Sequence, residues 1–196
     1  MNIKYVSIIL TIYLSNLYLN AQVILPGVLD STFGNGGIAT TVLPNPAQIA
    51  DVKSILQPDG KIIIISSYKE QNKAYVLTSR FLETGSLDST WGQEGILFTS
   101  LGNSVTISVP KGIHLQSDVK LIVVGVRDTL FPLGTLLNPF MIRYNQNGTL
   151  DSSFADNGLY LPYYHRPFNG NPVFFQQVTE IGNRILVFGN ELDSVR

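Results

Sequence analysis

The chain contains no cysteine. That one absence removes disulfides, thiolate metal sites, a cysteine nucleophile and thioether-linked lipid anchoring. Charge is also scarce: Asp, Glu, Lys and Arg make up 14% of the 196 residues, and 13 basic against 14 acidic groups leave a net charge of −1. Helical bundles need charged residues on their exposed faces, so this composition, with its 17 Gly and 10 Pro, favours a turn-rich β protein. No basic stripe is present, which argues against nucleic acid as a partner. The sequence carries no Ser-His-Asp spacing, metal-ligand pair, nucleotide-binding loop or nucleophile elbow. It is read as non-enzymatic, with no cofactor and no metal.

Long apolar runs are missing too, and the one at the N-terminus is short. Lys4 precedes an apolar stretch over residues 5–14, which turns polar at Ser15 and Asn16 and reaches a small residue at Ala21. A spanning helix needs about twenty apolar residues, so residues 1–21 read as a secretory signal peptide. The mature region is then 22–196, with 12 basic and 14 acidic groups and no membrane span. The expected location is secreted or at the cell surface.

What the chain does have is an internal repeat. Gly27-Val-Leu-Asp-Ser-Thr-Phe-Gly34, Gly85-Ser-Leu-Asp-Ser-Thr-Trp-Gly92 and Gly148-Thr-Leu-Asp-Ser-Ser-Phe-Ala155 align, with Leu-Asp pairs at Leu29, Leu87 and Leu150. A second element links them: Gln57-Pro-Asp-Gly-Lys before the run 62–65, Gln116-Ser-Asp-Val-Lys before 121–124, and a looser copy at 184–188. A third is Arg80-Phe81 and Arg143-Tyr144, each Arg eight residues before the motif Asp. The repeats run approximately 27–84, 85–147 and 148–196, the last incomplete. In the first, residues 38–43, 51–57, 61–68 and 74–82 read as strands around the turn Pro58-Asp59-Gly60. The run 62–65 does not alternate, so that strand is expected to be buried on both faces. Four short antiparallel strands per repeat is the plan of a β-propeller blade.

Each part of the Leu-Asp motif has a structural role to play. Asp30, Asp88 and Asp151 accept backbone N–H groups and pin a tight turn. Phe33, Trp91 and Phe154 are plugs to seat between blades, and Gly34 and Gly92 relieve the backbone. These linked motifs resemble the delta-60 repeat family over roughly residues 24–190. The resemblance implies a propeller fold in a secreted or surface bacterial protein, and no particular chemistry. Val119 and Ala155 depart from it by replacing glycines.

Catalysis is disfavoured because a catalytic residue is needed once, whereas the motif aspartates recur in every copy. A repeated calcium site is the alternative for them, but each turn brings one carboxylate where calcium takes several. Arg80 with Asp88, and Arg143 with Asp151, are expected to form structural ion pairs. His114 aligns with Ile55 and Phe175, an apolar position elsewhere, and reads as a packed histidine. His165 lies in an aromatic stretch with Tyr163, Tyr164 and Arg166, and residues 127–139 form an apolar insertion, with Phe131 and Leu133, between the third and fourth strands of the second repeat. Those two segments are the candidate binding loops for an unidentified protein or glycan. The sequon Asn147-Gly148-Thr149 reads as a turn.

The resulting expectation is a non-catalytic exported propeller for binding, adhesion or scaffolding. The alternative is the N-terminal part of a propeller enzyme acting on extracellular polysaccharide. Three repeats give only a partial arc, because closed propellers use four or more blades. The expectation is that further blades from a longer chain, or self-association, complete it.

Overall fold

A computed structural model describes residues 28–43, 48–103, 105–131, 134–162 and 173–191. The signal-peptide reading of 1–21 lies outside these residues. Among the described residues, ten strands form three antiparallel sheets. The first is β1 (Gln48–Leu56), β2 (Ile62–Glu70), β3 (Lys73–Phe81) and β4 (Ile96–Ser100), in that spatial order. The second repeats the plan with β5 (Ser108–Leu115), β6 (Leu121–Phe131), β7 (Gly134–Tyr144) and β8 (Leu159–Tyr160). The third is the hairpin of β9 (Val173–Ile181) and β10 (Arg184–Glu191). The fold is all-β, with open four-stranded sheets of the propeller-blade kind.

Apolar residues on both faces of the second strand account for the stacking. Leu121 and Val123 of β6 join Ile63 and Ile65 of β2 in one core between the first two sheets. Ile122 and Val124 point the other way and join Met141 and Val178 in a second core facing the third sheet. The non-alternating run thus feeds two cores, one per face. In the first sheet the run is likewise shielded on both faces, with Ile62 and Ile63 both buried.

The first strands of the three sheets lie side by side, β1 against β5 and β5 against β9. Each carries a bulge, opposite the 65–67, 124–125 and 188–189 stretches of its partner. The extra residue sharpens the local twist, and Gly112 beside the β5 bulge lets the next sheet approach. A Cβ there would meet the Gln176 carbonyl oxygen at 2.8 Å.

Three expectations need correction. A blade is not a repeat: β4 follows the second Leu-Asp motif yet pairs with β3, so the sheet at 48–100 draws on two repeats. Residues 38–43 are not a strand. They correspond to β4, but no strand among the described residues stands where β3 stands for β4; only Ile38 bridges back to Asn35. Third, the insertion is not a loop. β6 and β7 run on through it as a ribbon, pairing Arg127 with Asn138 and continuing to Phe131 with Gly134.

Candidate functional site

Two of the repeated motif aspartates, Asp88 and Asp151, each gather hydrogen bonds and two cations. In each copy one carboxylate oxygen closes the turn. Asp88 Oδ1 accepts from the Thr90 N–H at 3.0 Å and its hydroxyl at 2.6 Å. Asp151 Oδ1 does the same with Ser153, at 3.0 and 2.7 Å, and Asp30 Oδ1 with Thr32, at 2.9 and 2.6 Å. The N–H of Phe33, Trp91 or Phe154 then donates to the carbonyl of its own motif Asp, which fixes where the aromatic ring leaves the turn.

The other oxygen gathers the remaining two repeat elements. Arg80 Nε donates to Asp88 Oδ2 at 2.8 Å, and Lys61 Nζ, from the Gln57-Pro-Asp-Gly-Lys element, lies 3.3 Å from the same atom. In the next copy Arg143 Nε stands 2.7 Å and Lys120 Nζ 3.1 Å from Asp151 Oδ2. Arg80 and Arg143 also lie over the rings of Trp91 and Phe154, 4.8 and 4.5 Å from their centroids. Asp30 has only its Thr32 contacts among the described residues. Reading the sequence anticipated the Arg–Asp pairs but missed the lysines. The signal was there, since an Asp-x-Lys turn precedes an Arg-Phe/Tyr pair in both copies.

These surroundings set the titration. Burial pushes Asp88 up, but hydrogen bonds from the Thr90 hydroxyl and N–H, then Arg80 and Lys61, outweigh it and hold the group at about 2. The Ser153 hydroxyl, working against burial and with help from Lys120, the Ser153 N–H and Arg143, holds Asp151 well below the usual carboxylate range. Such a carboxylate is a poor proton acceptor near neutral pH. Its lone pairs are directed at donors and two cations, an arrangement suited to clamping a turn and hostile to a further cation.

The aromatic residue extends the clamp to the neighbouring sheet. Trp91 is 1% exposed, lies between the first two sheets, donates its indole N–H to Thr78 Oγ1 at 3.1 Å and sits 6.1 Å from the Tyr144 ring. Tyr144 is itself fully buried and shares a 2.6 Å hydrogen bond with Thr99 of β4; burial pushes its hydroxyl far up. The Gly92 N–H donates to the Asn147 carbonyl at 3.2 Å, and Arg80 Nη1 donates to the Gln146 carbonyl at 2.6 Å. Gly148 is buried beneath the indole, where a Cβ would meet Trp91 at 3.0 Å. The first copy repeats this latch: the Gly34 N–H donates to the Thr84 carbonyl at 2.7 Å and Phe33 lies over Gly85. The first and second motifs therefore each grip the Gly turn that opens the next motif. Phe154 is half-buried against Val178 and the third sheet. Of the motif leucines, Leu87 and Leu150 are half-buried and Leu29 is exposed.

The expected binding residues are not assembled into a described site. Tyr163, Tyr164, His165, Arg166 and Leu133 lie outside the described residues, and Phe131 is placed only as the last β6 residue, paired with Gly134. His114 is half-buried on β5, opposite Ile122. Its counterpart in β9 is Thr179, not Phe175, once register and bulge are followed, so that position is not apolar throughout. Asn147 does form a turn, accepting from the Thr149 N–H and hydroxyl. Sequence reading also missed Asp128, buried on β6, which ties down the sheet-to-sheet connection by accepting from both Thr106 groups and from the Ile107 N–H.

Residues 57–90 and 116–154 match the model of a family described as a domain of unknown function (DUF5122), β-propeller. Each stretch runs from an Asp-x-Lys turn through the next Leu-Asp motif, the same elements that converge on Asp88 and Asp151. The match supports a propeller-repeat family. Comparison with curated proteins and with solved structures finds no match.

Proposed function

We propose that this chain is a non-catalytic propeller-repeat protein that works outside the cytoplasm by binding or scaffolding, in the manner its resemblance to delta-60 repeats implies. The observation that carries this reading is the use made of the reactive groups. Asp88, Asp151, Arg80, Arg143, Lys61 and Lys120 are all engaged in holding one sheet's turn and aromatic plug against the next. Groups saturated in this way serve packing and leave recognition to segments that differ between copies, here the extended β6–β7 hairpin and residues 163–166. The N-terminal pattern of Lys4, residues 5–14 and Ala21 supports export and cleavage ahead of Gln22.

Two experiments test the proposal. N-terminal sequencing of the exported protein should start at Gln22, and an intact Met1 in the envelope fraction contradicts the cleavage. Purified protein presented to an array of glycans and to whole cells should bind without altering what it binds. Measurable glycan turnover would overturn the non-catalytic reading.

A further inference from the structure

The bulges of the three first strands fall at nearly the same height. Asp51 and Val52 stand five and four residues before the end of β1 at Leu56, Lys111 four before the end of β5 at Leu115, and Gln176 five before the end of β9 at Ile181. A bulge takes its residues out of the ladder and re-aims their side chains. Because β1 lies against β5 and β5 against β9, the three bulges are neighbours. Lys111 Nζ reaches Asp51 Oδ1 at 3.1 Å across the first gap. Across the second, Gly112 lets the Gln176 backbone come so close that a Cβ would meet its carbonyl oxygen at 2.8 Å. The result is a row of acid, base and amide drawn from three copies of the repeat.

This row differs in kind from the motif clamps. Asp88 and Asp151 are buried beneath their partners, whereas the Asp51 and Lys111 side chains are 35% and 38% exposed and Gln176 is exposed. An ion pair so open to water adds little to stability, so joining sheets does not account for it. Asp51 nevertheless keeps a left-handed backbone, with φ of 53°, a conformation that costs a non-glycine residue and gathers at ligand sites. The clamp residues also recur from copy to copy. At the bulges the copies carry unlike polar groups, which a packing role does not call for.

We infer, building on the reading of this chain as a binding protein, that the Asp51–Lys111–Gln176 row binds a neutral saccharide. The charges of Asp51 and Lys111 cancel, so the row has no net pull on an ion, and a charged ligand group would meet its like at one of the two. Hydroxyl groups suit it better. The carboxylate accepts hydrogen bonds from them, the ammonium donates to their oxygens, and the Gln176 amide does both. Val52, 46% exposed beside Asp51, offers an apolar surface to the C–H face of a sugar ring.

Affinity electrophoresis of the full chain through gels containing laminarin, mannan or alginate tests this. Wild type should be retarded by laminarin or mannan, which are neutral, and not by the acidic alginate. Asp51→Gly, which suits the left-handed backbone, and Lys111→Met should each weaken the retardation about tenfold, and Gln176→Ala about fivefold, the scale of one hydrogen bond to a charged and to a neutral group. These side chains lie outside both cores, so Trp91 emission and thermal unfolding should match wild type. Equal retardation of wild type and all three folded variants overturns the site and leaves the binding reading standing. Free passage of wild type through both laminarin and mannan overturns the ligand class. So does wild-type binding to whole cells that survives periodate oxidation of their glycans, which would make the ligand a protein.

Discussion

At the scale of single residues, the clamp around Asp88 makes the sharpest predictions. Arg80 and Asp88 have side chains only 4% and 5% exposed, so removing the arginine leaves a buried carboxylate short of its nearer cationic partner. Losing one partner of a buried pair typically costs roughly 3–5 kcal/mol. Arg80→Ala should fall near the low end, because Lys61 remains beside Asp88; chemical denaturation at pH 7 measures it. The pH dependence follows from the direction of the shifts. A carboxyl depressed in the folded state contributes stability that is fully present above its unfolded value and lost as pH falls toward its folded one. For Asp88 that window runs from 3.8 down to about 2, and Asp151 is depressed in the same sense. Wild-type stability should therefore drop through this acid range, and the difference between wild type and Asp88→Asn should be largest at neutral pH and shrink below it. A difference that stays constant to acid pH would place the effect elsewhere.

At the scale of elements, turn chemistry explains where the copies differ. The turn before β2 has Gly60 with φ of 79°, and the turn before β6 has Val119 in the same role with φ of 60°. A β-branched residue in the left-handed region is strained by about 1–2 kcal/mol. Val119→Gly should relieve most of that and raise stability by about 1 kcal/mol, less the added freedom of the unfolded chain; a loss of stability would show that Val119 makes compensating contacts. The element scale also shows what the sequence made legible. Turns, strand positions and the Leu-Asp motif could be read because each depends on neighbours in the chain. The assignment of β4 to the preceding sheet could not, since its partner is chosen by a chain reversal around the motif. Lys61 and Lys120 escaped notice for a similar reason: hairpin pairing, and no local pattern, carries them to Asp88 and Asp151. The apolar insertion was mistaken for a loop because its residues do not alternate, yet the register of β6 and β7 continues through it.

At the scale of the whole molecule, stability depends on the seams between sheets, since each sheet alone has little to bury. Trp91 fills the first seam, between residues of β2 and β3 on one side and of β6 and β7 on the other. Trp91→Ala should cost roughly 3–5 kcal/mol, the range for emptying a large aromatic site, with no change in any binding the folded protein performs. Loss of binding at full stability would instead make Trp91 a ligand platform. Trp91 is also the sole tryptophan of the chain, so its fluorescence reports that seam and nothing else. The central claim is that the repeat motif exists to lock one sheet onto the next. It is tested most directly by a denaturant titration followed at once by Trp91 emission and by far-ultraviolet circular dichroism. The account predicts a native emission shielded from aqueous quenchers and a single transition in which both signals change together. Exposure of Trp91 at a lower denaturant concentration, with the sheets still intact, would contradict it.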